Sequence, residues 1–271
     1  MRKNKILVAT ALLMMVSLHT VIAQHKTLLI SESGLPYTGQ TWFAYGAAGI
    51  CQDDIVASWD EGKRIVTAAY TGEEWLVVMA GNTAYAMQTY TLTQAWPEQW
   101  IAEQAQQGYA ITAVSNSDSQ WLVVLSQGTG ITGQQVWQAP WEKLEPWIAE
   151  QKPLGYSITS LTCCGSQWRV VMSQNSDYVS QGYFRAETTN DMMRTIQREV
   201  WGKGYNVHQV AYGDGCYIVT YGNYAQGDSR YQNLQVNPDD TRGYINQQLQ
   251  RGLSITYVGG GLVADQRKLK K

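Results

Sequence analysis

Apolar positions along the chain fall into short runs bounded by Gly, Asn, Ser and Asp, and the runs return at a nearly constant interval. Self-similarity of this kind governs everything else, because each copy in a repeat protein is one supersecondary unit. The pattern Gly-x-x-Ile-Thr stands at Gly108–Thr112, Gly155–Thr159 and Gly252–Thr256; Gly204–His208 is a fourth copy with His in the Thr slot, and Gly62–Thr67 a fifth with one extra residue. From Thr67 to Thr112, Thr159, His208 and Thr256 the successive intervals are 45, 47, 49 and 48 residues. Eight or nine residues after that slot a second apolar run opens: Trp75–Met79, Trp121–Ser126, Trp168–Ser173 and, in the fourth copy, Cys216–Thr220. A third run carries Gln with a following aromatic, as in Gln88 with Tyr90, Gln135 with Trp137 and Gln181 with Tyr183, and in looser form Tyr231-Gln232. β-branched and aromatic residues within the runs, and turn formers between them, predict strands.

Each third strand leads into a predicted helix: Glu98–Gln107 after Pro97, Glu145–Lys152, Asp191–Lys203 and Asp239–Arg251. Each helix stops at the Gly that opens the next copy, a residue suited to a left-handed C-terminal turn. Trp100, Trp147, Ile196 and Tyr244 stand eight residues before that Gly, where one large side chain per helix can anchor on a sheet. The unit reads strand, strand, strand, helix over 62–107, 108–154, 155–203 and 204–251. The fifth, 252–271, lacks its later strands, and 24–61 supplies them: Leu28–Ser31 matches the second strand, Gln40 the Gln run, and Asp53–Glu61 the helix. A unit divided between the termini is what a ring needs in order to close without exposed sheet edges, whereas a linear solenoid would need polar capping units. The expected architecture is therefore a β-rich α+β repeat protein, a closed five-bladed propeller-like ring.

Units two and three, Trp100 to Tyr183, carry the pattern Trp-Ile, Gly-Tyr-x-Ile-Thr, Trp-x-Val-Val-Met-Ser and Gln. In this the chain resembles a repeat domain of unknown function found at the C-terminus of plant casein-kinase-I-like protein kinases and in stand-alone bacterial secreted proteins. The resemblance implies the repeat architecture and supplies no catalytic residue; the kinase catalytic domain has no counterpart here. Cyclically permuted, the unit is also similar in topology to the five-fold α/β propeller of the pentein superfamily, a likeness of fold that does not carry function.

The first 23 residues read as a signal peptide. Arg2, Lys3 and Lys5 form a basic segment, Ile6 to Val21 an apolar one, and Val21-Ile22-Ala23 a cleavage site after Ala23. Loss of those three cations takes the formal charge from −2 to −5, which argues against nucleic acid, and against a membrane once the leader is removed, as partner. The tail Arg267–Lys271 reads as a solvated end. The expected location is secreted or periplasmic, in a bacterium.

Composition adds one anomaly: 11 Trp and 17 Tyr against 2 Phe. Repetition absorbs most of it, leaving Trp96, Trp141, Tyr178 and Tyr224, which stand outside the pattern and are the expected binding residues. The recurring Thr67, Thr112, Thr159 and Thr256, with Gln40, Gln88, Gln135 and Gln181, either satisfy one another between units or ring a central axis. Trp75, Trp121 and Trp168 read as packing. His208, Asp214 and Cys216 are the one Cys-His-acid grouping close in sequence, but a tight turn at Gly213–Gly215 would set the His nearer Thr220 than Cys216. Gly128–Gly133 fits a dinucleotide fingerprint on paper, yet a strand rather than a helix follows it. The acidic pairs Asp53-Asp54 and Asp239-Asp240 fall at helix starts, where carboxylates cap free amides. Cys51, Cys163, Cys164 and Cys216 show no zinc spacing, and a bridge from Cys163 or Cys164 to Cys216 stays open beside free thiols. The expectation is an exported, non-enzymatic protein that binds a protein or glycan partner and needs no cofactor or metal; the alternative is a pentein-like or other hydrolytic enzyme using a Cys/His site.

Overall fold

A computed structural model describes residues 24–117, 119–224 and 231–263. The expected cleavage site and the basic tail lie outside them. The described residues form five antiparallel three-stranded sheets. In spatial order these are β2 (Thr38–Gly46), β4 (Glu74–Gly81), β3 (Arg64–Tyr70); β5 (Gln88–Thr93), β7 (Trp121–Ser126), β6 (Ala110–Asn116); β8 (Gly133–Ala139), β10 (Gln167–Gln174), β9 (Tyr156–Cys164); β11 (Tyr178–Ala186), β13 (Cys216–Tyr224), β12 (Asn206–Gly213); and β14 (Gln232–Val236), β1 (Gln24–Glu32), β15 (Ser254–Val263). Helices α1 (Gln52–Asp60), α2 (Glu98–Gln106), α3 (Trp141–Gln151), α4 (Thr189–Thr195) and α5 (Thr241–Gln250) each join an outer strand to the inner strand of the same sheet. The last sheet takes its middle strand from the N-terminal end of the described chain and its flanking strands from the C-terminal end, with Leu28 opposite Val236 on one side and Gly259 on the other.

Pairing shifts the phase of the repeat. The Gln strand does not join the two strands before it, as the unit strand, strand, strand, helix expects: β5 pairs with β7, which follows α2, and the other Gln strands behave alike. The folded unit is thus strand, helix, strand, strand. Ladder register also corrects two equivalences. Ile65 and Thr67 flank a bulge opposite Met79 and Val78, as Ile111 and Ala113 do opposite Leu125 and Val124, so Val66 rather than Thr67 occupies the Thr112 slot. In the fourth sheet Tyr212 faces Tyr217 where Asn116 faces Trp121, so Tyr217 rather than Cys216 takes the Trp position.

Middle strands are packed on both faces, which is why they read as continuous apolar runs instead of alternating ones. Trp75 through Ala80 and Leu122 through Leu125 are buried throughout. At roughly 1.5–3 kcal/mol for each large apolar side chain removed from water, these strands dominate the stability of the sheets. Each hydrophobic cluster spans two sheets. Leu122 and Val124 of β7 pack with Ile65 and Trp75 of the first sheet, Val171 of β10 with Val123 of β7, and Ala211, Cys216 and Ile218 of the fourth sheet with Trp168 of β10. Leu28 and Ile30 of β1 pack with Val207 and Val219, and Leu29 of β1 with Ala69 and Leu76. Inner strands neighbour one another in the order β3, β6, β9, β12, β15, and β15 in turn neighbours β3.

The stop residues Gly62, Gly108, Gly155, Gly204 and Gly252 all have left-handed backbone, with φ between 75° and 85°. Helix anchoring differs by one position from the expectation. Ile55, Ile148 and Ile245, seven residues before their glycines, are fully buried, while Trp100, Trp147 and Tyr244 at eight are only partly so. Ile196 is buried at eight, because a π turn over Ile196–Val200 takes up one added residue in the unit with the longest interval.

Candidate functional site

The site begins with the bulges. Each inner strand leaves its ladder for one residue near its start, at Val66, Thr112, Thr159, His208 and Thr256. A buried backbone N–H and C=O beside such a point must find other partners, and a side-chain amide offers a donor and an acceptor at once. Five glutamines do this. Gln88 accepts from the Ile65 N–H at 2.7 Å and donates to the Ile65 carbonyl at 2.8 Å. Gln134 holds Ile111 in the same way, Gln181 holds Ile158, Gln232 holds Val207 and Gln40 holds Ile255. In every case the Gln belongs to the sheet after the one it holds. Gln134, not Gln135, is the third member.

What else the amide meets varies from sheet to sheet. Gln88 donates to Ser126 at 3.0 Å and Gln134 to Ser173 at 2.9 Å; those hydroxyls meet Thr112 at 2.8 Å and Thr159 at 2.7 Å. Where Gly222 replaces the serine, the ring of His208 spans the gap and its Nδ1 lies 3.4 Å from Gln181 Nε2. Where Ala80 replaces it, the bulge residue is the apolar Val66, so hydroxyl and partner are lost together. In the fifth sheet the serine position holds Glu32, whose Oε1 accepts from Gln232 at 2.7 Å and from Thr256 and Tyr224 at 3.2 Å each.

Second-row bonds join the inner strands directly. Thr67 Oγ1 accepts from Val258 N–H at 2.9 Å, Ser115 from Tyr70 N–H and Ser160 from Val114 N–H at 3.1 Å, while Gln209 donates to the Thr159 carbonyl and the Tyr257 hydroxyl to the Val210 carbonyl. The glutamines thus act between sheets, on backbone groups and not on the threonines, while most of the threonines bond within their own sheet.

All five inner strands line one cavity of about 320 Å³. Its bulge end is roofed by loops that cross from a middle strand to the next sheet's outer strand, bringing Tyr37, Tyr85 and Asp177 to the bulge residues. There Tyr178 stacks on His208 with ring centroids 4.0 Å apart and planes 13° from parallel, and Tyr224 leans on both at 5.8 and 5.0 Å. Tyr257 faces the same space. Burial pushes the Tyr85 phenol far above the usual range, helped by Tyr37, Tyr178 and Asp177, and burial with Tyr178 does the same to Tyr257. Both keep some accessible surface, because that surface faces the cavity.

Of the four expected binding residues, the structure brings together two. Tyr178 and Tyr224 line the bulge end of the cavity. Trp96 lies elsewhere, edge-on to Trp121 at 5.5 Å with the Arg169 guanidinium 3.8 Å over its ring. Desolvation lowers Arg169 to about 10. Trp141 is a correction: it is 2% exposed, opening α3 against Trp168 and Tyr183, because the first residue after Pro140 turns into the core. Trp75, Trp121 and Trp168 are core residues. Glu32, Tyr37, Tyr85 and Tyr257 join the site without belonging to the repeat pattern; the signal at Glu32 is an acid directly after the apolar run Leu28–Ile30 and Ser31.

The Cys/His grouping does not assemble. Cys216 pairs across the hairpin with Gly213, while His208 bulges out beside Thr220, five residues or roughly 16 Å along the strand. Burial raises the Cys216 and Cys163 thiols, opposite to what a nucleophile needs, and no disulfide joins the described cysteines. Gly128–Gly133 leads into β8 and not a helix. Asp240 caps α5 by accepting from Gly243 N–H at 2.8 Å, and Asp53 and Asp54 lie in the first turn of α1. Among the described residues no group of three or more His, Cys, Asp or Glu side chains is placed to hold a metal ion, and no helix is long and apolar enough to cross a membrane.

Comparison with known proteins gives two matches. Residues 12–145 match the model of a domain of unknown function, DUF7477. A stretch of 77 residues, 28% of the chain, is 32% identical to casein kinase 1-like protein HD16 of Oryza sativa subsp. japonica. That stretch spans 11% of the rice protein's length.

Proposed function

We propose that the five sheets close into a five-bladed, propeller-like ring with one blade split between the termini, and that this ring is an exported, non-enzymatic binding protein. A protein or glycan partner docks on the crossing loops and places a group in the cavity. Closure is supported by the circuit of shared cores, by the five Gln joints and by the return of β15 to β3. Export rests on the basic and apolar segments before Ala23. The observation that carries the binding reading is the Tyr178, His208 and Tyr224 cluster over Glu32, at the one end of the cavity where unrepeated residues gather.

Aromatic faces beside a few fixed polar groups are the usual makeup of a ligand site. A thermal-shift screen of metabolites and oligosaccharides on the wild type and on Tyr178→Ala tests the reading. Ligands that raise the wild-type midpoint and leave that of the variant unmoved are expected. A hit that stabilises both equally places binding outside the cavity. Turnover of an ester, glycoside or guanidine substrate that vanished in Cys216→Ala would overturn the non-enzymatic part.

A further inference from the structure

The chemistry of the cavity restricts what can enter it. Among the described residues lining it there is no lysine or arginine, while Glu32 and Asp177 supply carboxylates at the bulge end. Five tyrosines, at positions 37, 85, 178, 224 and 257, contribute aromatic rings to the same space. Phenols are neutral at physiological pH, and burial pushes those of Tyr85 and Tyr257 further up, so all these rings present an uncharged π surface. Much of the remaining wall is hydroxyl and methyl, from Thr67, Thr112, Thr159 and Thr256 with Val66 and Val258, joined by His208 and Gln209.

Among the described lining residues an anion would find hydroxyls and His208, but two carboxylates against it and no lysine or arginine to offset its desolvation. A neutral sugar would stack on the tyrosines and donate its hydroxyls to the carboxylates, but would bring no charge to meet that of Asp177. A cation with apolar substituents gains from all three parts, through attraction to the ring quadrupoles, Coulomb attraction to the exposed Asp177, and contact of its methyl groups with the threonine and valine wall. At about 320 Å³ the space is at the small end for ligand pockets, enough for a compact head group.

We propose that the group admitted to this cavity is an alkylated ammonium, with Tyr178 as a principal face and Asp177 as its nearest exposed countercharge. The inference rests on the reading of the cavity as the binding site. The ammonium can be free or borne on a larger partner, and the probes separate the two cases.

The test is calorimetric titration of the mature protein with choline, with the neutral isostere 3,3-dimethylbutan-1-ol and with a peptide carrying trimethyllysine, alongside amide chemical-shift mapping. Choline is expected to shift the amides of Tyr178, His208 and Thr256 and to bind about tenfold more tightly than the isostere, the ratio that one desolvated cation–π contact supplies. Tyr178→Phe should keep that preference and Tyr178→Leu should lose about tenfold, while Asp177→Asn weakens choline and leaves the isostere unchanged. Tighter binding of the peptide assigns a protein-borne ammonium, and tighter binding of choline a free one. Equal affinity for choline and the isostere, both mapped to the cavity, overturns the cation and leaves the binding site standing. If choline, the isostere, the peptide and N-acetylglucosamine all leave the cavity amides unmoved, both readings fall.

Discussion

Replacing Gln88 by Leu keeps the volume of the side chain and removes one joint between sheets. Gln88 is 7% exposed and Ile65, the residue it holds, 3% exposed, so water does not readily substitute for the lost amide. Two backbone groups of Ile65 lose their partners at 2.7 and 2.8 Å, and Ser126 and Trp59 lose bonds at 3.0 and 3.3 Å. Leaving a buried backbone donor or acceptor unpaired costs about 1–3 kcal/mol, so the two Ile65 groups together set an expected loss of about 2–6 kcal/mol. Gln88→Glu should cost at least as much, because a carboxylate accepts from the Ile65 N–H but faces its carbonyl with no proton to give. Gln40→Leu, at a joint more open to solvent, should cost less. Gln99→Leu, on the exposed face of α2, should stay within about 0.5 kcal/mol of wild type. Urea denaturation followed by tryptophan fluorescence measures all four, with the slope expected to hold while the midpoint moves. A Gln88→Leu midpoint indistinguishable from that of Gln99→Leu would refute the joint.

Further outcomes follow from the same geometry. Thr112→Val and Ser126→Ala should each cost about 1 kcal/mol and the double variant less than their sum, since Val66 with Ala80 already shows that the pair can be absent together; additive losses would contradict this. Gly260→Ala would place a Cβ 1.8 Å from the Tyr70 carbonyl oxygen where β15 meets β3, and a loss of roughly 2–3 kcal/mol in the same assay is expected. Cys51 is exposed and should react at once with a thiol reagent, whereas Cys163 and Cys216 should react only at the rate of global unfolding. The folded state holds the Cys163 and Tyr257 protons to higher pH than the unfolded chain does. Their contribution to stability is therefore complete below the ordinary thiol and phenol range and should fall as pH rises through about 9–10; a urea midpoint flat from pH 8 to 10.5 would contradict that sign.

The repeat, the left-handed glycine stops and the contribution of the N-terminal strand to the last sheet were legible in the chain, because each depends on local residue type at a fixed interval. Phase was not. A repeat has no intrinsic beginning, and whether Gln88 pairs backward or forward is decided by packing across α2, which leaves no local mark. Thr67 was matched to Thr112 because both are threonine, whereas the bulge follows the backbone and falls on Val66. Cys216 was set in the Trp slot because the hairpin at Asp214-Gly215 could be counted from either side; the ladder puts Tyr217 there. At the site, Tyr178 and Tyr224 stood out by departing from the pattern. Tyr37 and Tyr85 sit on loops whose path over the cavity is fixed only when all the sheets are in place, and Tyr257 reaches it because the fifth inner strand carries a tyrosine where the third has Ser160.

The fifth wall of the cavity exists only if the segment after residue 23 and the segment before residue 264 share one sheet. Hydrogen–deuterium exchange read by mass spectrometry addresses this in the unmodified protein. The amides of Leu28–Glu32, laddered to β14 and β15, should exchange as slowly as those of Trp75–Ala80, with both opening in the global unfolding event. Exchange of Leu28–Glu32 at the rate of an unprotected chain, while Trp75–Ala80 stays protected, would show four sheets and no enclosed cavity.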